Sequence, residues 1–245
     1  MEGPGVYLIK EKLKFLKGKI PIAVSGNTRE NKEIIVGKKL LDVKSFGKRL
    51  IFEFDSFYLI IHFLMYGSLR INEKRKNKKE RISIKFKNTE LNFYNTSVKI
   101  LKKEDFIYDP KIDIMSRDFD KIKAKEKIKN SDKFICDIIL DQNIFAGVGN
   151  IIKNEALFMA GIHPLSICKS IEEKLIDKLI DSILSFSYDF YLLRKTNKSL
   201  KEKLFIYGKK FCRICNSKIK LKYTGEKKRK SFFCENCQKL FYSIF

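Results

Sequence analysis

The sequence predicts a two-domain protein of mixed α/β (α+β) class with a small cysteine-bearing appendage, on three observations. Apolar residues recur at three- and four-residue steps at the start of the chain and again after about residue 130, which is helical spacing. Between about residues 20 and 101 the period falls towards two, and β-branched and aromatic residues dominate. Near the end, two C-x-x-C pairs bracket a short alternating segment. A length of 245 residues suits one large domain, or two modest ones and an appendage.

The first element is a helix: Val6, Ile9, Leu13 and Leu16 form one stripe, Pro4 suits the first turn and Gly18 closes it. The segments "KRLIFEFDSFYLIIHFLMYGSLRI", "RISIKFK" and "TELNFYNTSVKIL" then read as strands of a β-sandwich or barrel. Between them "NEKRKNKKER" (72–81) is an exposed hairpin loop, its charges read as solvated rather than as a grip on DNA. The charged stretch 102–130, with its Asp109-Pro110 break, places a domain linker. Helical spacing returns in "DKFICDIILDQ", in "NIIKNEALFMAG" and in the long "SIEEKLIDKLIDSILSFSYDFYLLRK". The expected divisions are residues 1–109, a linker at 110–130, a helical domain at 131–203 and a finger at 204–245.

Charge points to a partner. Lys and Arg number 52 against 29 Asp and Glu, a net +23, which favours rapid, salt-sensitive capture of nucleic acid. A lysine-rich proteome would supply many of these lysines, but acids and bases should then balance. No apolar run reaches the ~18 residues of a membrane span. Glu2 precedes any apolar segment, so no secretory signal is read and a cytoplasmic protein, nucleoid-associated in a bacterium, is expected. Cys136 and Cys168 stand alone and read as buried apolar fillers.

Two motifs carry chemistry. Cys212, Cys215, Cys234 and Cys237 form two knuckles separated by 18 residues, the spacing of a tetrahedral S4 site on a zinc-ribbon hairpin turning at Thr224-Gly225. Four thiolates leave no open position, so one structural zinc ion is expected. The turn displays Lys227, Lys228, Arg229 and Lys230, which suit phosphate. The second motif is "GVGN": Gly147 and Gly149 make a tight turn opening a helix that Asn150 is placed to cap. Free N–H groups at such a start make a phosphate site, although packing glycines would look the same.

Taken together, the "EGP" start, "FGKRL", "IHFLMYGSL", "DQNIFAGVGNIIKNEALF…GIHP" and the terminal "RKSFFCENCQK" resemble the formamidopyrimidine-DNA glycosylase / endonuclease VIII superfamily over nearly the whole chain. In detail they look closest to the vertebrate Nei-like branch, which begins Met-Val-Glu-Gly-Pro-Gly. The resemblance implies an N-terminal helix on a β-sandwich, a helix–two-turn–helix domain, a zinc finger and a cleft for DNA. It implies a bifunctional DNA glycosylase/AP lyase of base excision repair, in which the first residue's amine attacks C1′ of a damaged nucleotide and forms a Schiff base. The next residue is then the glutamate that manages protons, which matches Glu2 and leaves Met1 as nucleophile where proline or valine is usual. An α-amine has an ordinary pKa of about 7.7–8, so a useful fraction is neutral near pH 7. An altered start would instead place the nucleophile ahead of Met1.

By the same resemblance Lys48 and Asn150 contact phosphate, Arg229 binds the phosphate at the lesion and assists strand cleavage, and Met65 fills the gap left by the flipped base. A core methionine is the alternative for Met65, and His62 and His163 are read as structural. The branch acting on oxidised purines carries Arg and Phe on a loop after its "Y-x-D" strand; the corresponding "FYNTSVKIL" (93–101) has neither. That implies oxidised pyrimidines and hydantoins, taken from single-stranded or forked DNA, with the protein acting as a monomer. Two other readings compete: an inactive binder of damaged or abasic DNA on the same scaffold, and an RNA-binding zinc ribbon, which explains neither the amino terminus nor the helix pair.

Overall fold

The first helix, α1 (Gly3–Leu13), forms where the stripe predicts it, with Val6 and Leu13 fully buried. A short 3-10 turn carries Leu16 into the same core, and Gly18, at φ +83°, turns the chain away. In the computed structural model, which describes residues 1–242, the chain divides into two compact units. One is Met1 with Gly5–Asp109; the other is Glu2–Pro4 with the chain from Pro110 onward.

The first unit is built on β1 (Ala23–Ser25), β2 (Asp42–Phe46), β3 (Arg49–Glu53), β4 (Phe57–Ile71), β5 (Ile82–Phe86) and β6 (Thr89–Lys102). They form one continuous antiparallel sheet in the order β1-β5-β6-β4-β3-β2. The β-sandwich arises because that sheet folds over on itself. Phe52 pairs with Leu59 and Leu59 with Ile100, so in a flat sheet Phe93 would lie seven residues along β6, about 24 Å away. Instead the rings of Phe52 and Phe93 meet edge to face at 6.1 Å, and Phe63 meets Phe93 at 6.1 Å.

The fold-over occurs where the β4–β6 register shifts between Phe63 and Ser68. Residues 64–67 of β4 stand opposite Asn95 alone, and Tyr66 and Asn95 take positive φ values of 60° and 49°. The excursion leaves Leu64, Met65 and Tyr66 exposed, Met65 at 74%. Met65 is therefore no core methionine. Residues 93–101, read above as the counterpart of a loop, are instead an unbroken part of β6.

The second unit holds α2 (Lys121–Lys129), the short α3 (Ile135–Ile138), α4 (Asn150–Ala160) and α5 (Glu173–Lys195). Two expectations need correction. Residues 110–130 are no simple linker, since α2 buries Ala124 and Ile128 in the helical core. Its outer face carries Lys121, Lys125 and Lys129, which pair with Asp181, Asp177 and Glu173 of α5. Nor is "DKFICDIILDQ" one helix. Only Ile135–Ile138 are helical, and Asp137 is buried with its apolar neighbours, so the polar stripe Lys133, Asp137 and Asp141 that suggests one long helix is not a solvated face.

The segment from residue 204 carries a hairpin of β7 (Lys220–Thr224) and β8 (Arg229–Phe233), packed with Ile206 and Ile219 against Phe158 of α4. The last three residues of the expected finger, 243–245, lie outside the described residues. No helix among the described residues is long and apolar enough to cross a membrane.

These contacts predict that Phe93→Ala, which empties the ring position shared by both layers, lowers stability by about 3–5 kcal/mol in urea unfolding. Met65→Ala, on the exposed excursion, should shift the same measurement by less than about 0.5 kcal/mol.

Candidate active site

The glycine turn is organised by one side chain close to it in the sequence, and the helix it opens is capped by one far away. Gln142 accepts from the Gly147 N–H at 3.1 Å and donates to the carbonyls of Leu140 and Val148, each at 3.1 Å. Gly147 sits at φ +108°, a region closed to most residues, and its carbonyl accepts from the Gly3 N–H at 2.9 Å. Gly149 is the N-cap of α4, and Asn150 is the first helical residue rather than a cap. The cap is Glu2: its carboxylate accepts from the backbone N–H groups of Ile151 at 2.8 Å and Ile152 at 3.2 Å. A carboxylate at this end gains from the helix dipole as well as from the bonds. The helix start, read above as a free phosphate site, is thus taken by an acid of the chain itself.

Within the first unit, the Met1 amine donates to the Phe63 carbonyl at 3.4 Å, immediately before the exposed Leu64–Tyr66 excursion. Lys48 is half-buried on the turn between β2 and β3, beside Gly47 at φ +55°. The His62 Nδ1 donates to the Lys48 carbonyl at 3.1 Å. Burial pushes the His62 imidazole below its ordinary value, and the charges of the Met1 amine, Lys48 and Arg49 act in the same direction. His62 is therefore a neutral donor beside the amine, which the sequence reading missed. Its signal was available: His62 lies directly opposite Arg49, next to Lys48, once β3 and β4 are paired. His163 is structural, its ring edge-on to Phe233 at 4.4 Å.

The remaining site residues lie in the second unit. The sulfurs of Cys212, Cys215, Cys234 and Cys237 all fall within 4.8 Å of one another, with Cys215–Cys234 at 3.4 Å and Cys212–Cys237 at 3.8 Å. Tetrahedral zinc with Zn–S near 2.3 Å needs sulfurs about 3.8 Å apart, so the four can bind one zinc ion. Arg229 opens β8 with its side chain exposed. The next carbonyl, that of Lys230, accepts from Asn150 Nδ2 at 2.9 Å and from Lys153 Nζ at 3.1 Å. Lys153 is fully buried and also donates to Ser231 Oγ at 2.8 Å. Its amine is pushed down to about 8, chiefly by burial; the nearby Arg229 lowers it further, while Cys136, Asp137 and Glu2 oppose the shift. Lys153 and the buried Asp137 went unread in the sequence, because a lysine or aspartate in a helical stretch is ordinarily solvated.

Two outcomes test this geometry. A Cβ at Gly149 would lie 2.3 Å from the Glu2 carboxyl carbon, so Gly149→Ala should displace Glu2 and lower stability by about 1–3 kcal/mol in urea unfolding. Lys153 titrates near 8 when folded and near ~10.4 when unfolded, so over that window the unfolded chain binds the extra proton and stability rises with pH. The stability of Lys153→Met relative to the parent should accordingly fall between pH 8 and 10, by on the order of 2 kcal/mol in urea unfolding.

Comparison with known proteins agrees with this architecture. The model of the formamidopyrimidine-DNA glycosylase N-terminal domain matches residues 8–97, and that of the family's H2TH domain matches residues 110–187. Endonuclease 8-like 3 of Mus musculus is 33% identical over 207 residues, covering 80% of this chain and 34% of the relative. The chain thus spans about a third of the length of that longer protein. Formamidopyrimidine-DNA glycosylase of Lactococcus lactis subsp. cremoris is 28% identical over 257 residues, covering 94% of this chain and 93% of the relative. The crystal structure of a Lactococcus lactis formamidopyrimidine-DNA glycosylase in complex with DNA containing an abasic site superposes with a TM-score of 0.86 at 26% identity, over 98% of this chain and 100% of that one. Two domain models in chain order, the supporting relatives and the four-sulfur cluster place the chain in the formamidopyrimidine-DNA glycosylase / endonuclease VIII superfamily of DNA-repair glycosylases.

Proposed function

We propose that this chain is a bifunctional DNA glycosylase/AP lyase that removes oxidised pyrimidines and hydantoins, preferring single-stranded or forked DNA. The observation that carries the reading is Glu2, a carboxylate fixed by two backbone N–H groups one residue from the proposed nucleophile. In this reading the neutral α-amine of Met1 attacks C1′ and the base departs with the glycosidic electron pair. The adduct then loses an amine proton as its C1′–O4′ bond breaks and O4′ leaves protonated, which gives a ring-opened imine. Its protonated form acidifies the C2′ proton, whose loss expels the 3′ phosphate. Glu2 handles the sugar protons, Lys48, Asn150 and Arg229 hold phosphates, and Met65 enters the space of the flipped base. A zinc ion on the four cysteines orders the finger and takes no part in the reaction.

The strand preference is supported by β6, which runs unbroken through residues 93–101 and offers no loop to replace the lost base pair. Without that compensation the few kcal/mol needed to flip a base from a duplex goes unreturned, whereas a single strand avoids much of it. The +23 net charge suits a partner bound chiefly through phosphates.

The test is borohydride trapping on a single-stranded oligonucleotide carrying an oxidised pyrimidine, with mapping of the adduct. The expected adduct is on the Met1 amine, formed about tenfold faster on single strands than on duplex. An adduct on Lys48, or on a residue ahead of Met1, would keep the enzyme and move the nucleophile. Equal or faster action on duplex 8-oxoguanine opposite cytosine would overturn the substrate assignment. Tight binding with nothing trapped, here or at an abasic site, would favour a non-catalytic damage binder.

A further inference from the structure

The finger's metal site and its arginine are at opposite ends of the hairpin. Arg229 is five residues from Cys234, about 17 Å along an extended strand, so the cysteines fix the base of the hairpin and not its tip. The tip is held by other means. On one side the buried Asp137 carboxylate accepts from the N–H groups of Glu226 at 2.8 Å and Lys227 at 3.3 Å. Gly225, at φ +70°, brings the backbone so close that a Cβ there would lie 2.4 Å from Asp137 Oδ2. On the other side three α4 side chains, spaced for one helix face, converge on the carbonyl of Lys230: Asn150 at 2.9 Å, Lys153 at 3.1 Å and Asn154 at 3.4 Å. Lys153 also donates to Ser231, whose hydroxyl meets that of Thr224 at 2.5 Å across the hairpin.

We propose that Asp137 and Lys153 are positioning residues that clamp the two ends of the tip and so fix where Arg229 presents its guanidinium. The inference rests on the reading of Arg229 as the ligand of the lesion phosphate. A solvated lysine would serve for charge alone, and burying this one against its preference for water is explained by the carbonyl and hydroxyl it holds. The flanking residues are fixed through their backbones while the Arg229 side chain stays exposed, the arrangement a pre-set phosphate ligand requires.

A double-mutant cycle tests the clamp. Parent, Lys153→Met, Arg229→Ala and the double variant are compared for affinity to single-stranded DNA containing a tetrahydrofuran abasic analogue, and for single-turnover cleavage at a true abasic site. Chelator-released zinc is measured alongside. Lys153→Met should keep the parent's zinc content, weaken binding and slow cleavage, each by about tenfold, yet add less than about twofold in the Arg229→Ala background. Equal losses in both backgrounds, parent-like behaviour of Lys153→Met, or no effect of Arg229→Ala would overturn the proposal. If Lys153→Met fails to fold or loses zinc, Asp137→Asn takes its place in the cycle under the same criteria. Should the parent bind but not cleave, coupling in the binding cycle alone would sustain the clamp while the glycosylase reading fails.

Discussion

Helix α4 buries three consecutive polar residues, and each demands a partner that the helix cannot supply. Lys153, Asn154 and Glu155 are all at most 1% exposed. Lys153 reaches the Lys230 carbonyl and the Ser231 hydroxyl, and Asn154 accepts from the Phe232 N–H at 2.7 Å. Glu155 accepts from three successive N–H groups, those of Phe205, Ile206 and Tyr207, at 2.8, 3.1 and 2.8 Å. Burial pushes the Glu155 carboxyl up, against the pull of those three donors. Every one of these partners belongs to the cysteine-bearing segment. Truncating a single partner while the segment stays in place would leave a buried polar group unsatisfied, at a cost of kcal/mol size. The finger is thus as much the completion of α4 as an appendage to it.

The same helix is completed at its other end by Glu2. Two glycines make this possible, one whose backbone turns at positive φ and one with no side chain to obstruct the carboxylate. A residue from the start of the sequence therefore supplies what a local capping side chain would ordinarily provide. The acid next to the first residue is held by two backbone N–H groups and by the dipole of the helix they open.

Much of this was legible in the sequence where the signal is local. The four-cysteine spacing, the stripe of α1, the long apolar face of α5 and the glycine turn each depend on residues near one another in the chain. What escaped notice depends on partners far away. The charges of 121–129 look like a solvated connector because the acids that pair with them, Asp181, Asp177 and Glu173, lie 44–60 residues later. Lys133, Asp137 and Asp141 recur at helical spacing in "DKFICDIILDQ", but Asp137 is buried against N–H groups 89 and 90 residues later, so that stripe is not the solvated face of one long helix. Lys153 and Asp137 were unreadable as site residues for the same reason: their burial and their bonds are tertiary facts. Met65 was named as a functional residue, but only the folded sheet distinguishes it from a core methionine.

The fold-over of the single sheet has a consequence for the Leu64–Tyr66 excursion. A tip borne on a separate loop would have to lose its freedom each time it met another molecule. This one leaves and rejoins strands that are laddered on both sides, at a point where the two layers are the same sheet. With both its ends fixed by the ladder, the excursion has less backbone freedom than a free loop of the same length. Whatever the tip enters, part of the cost of ordering its backbone has been met in folding the strands that carry it.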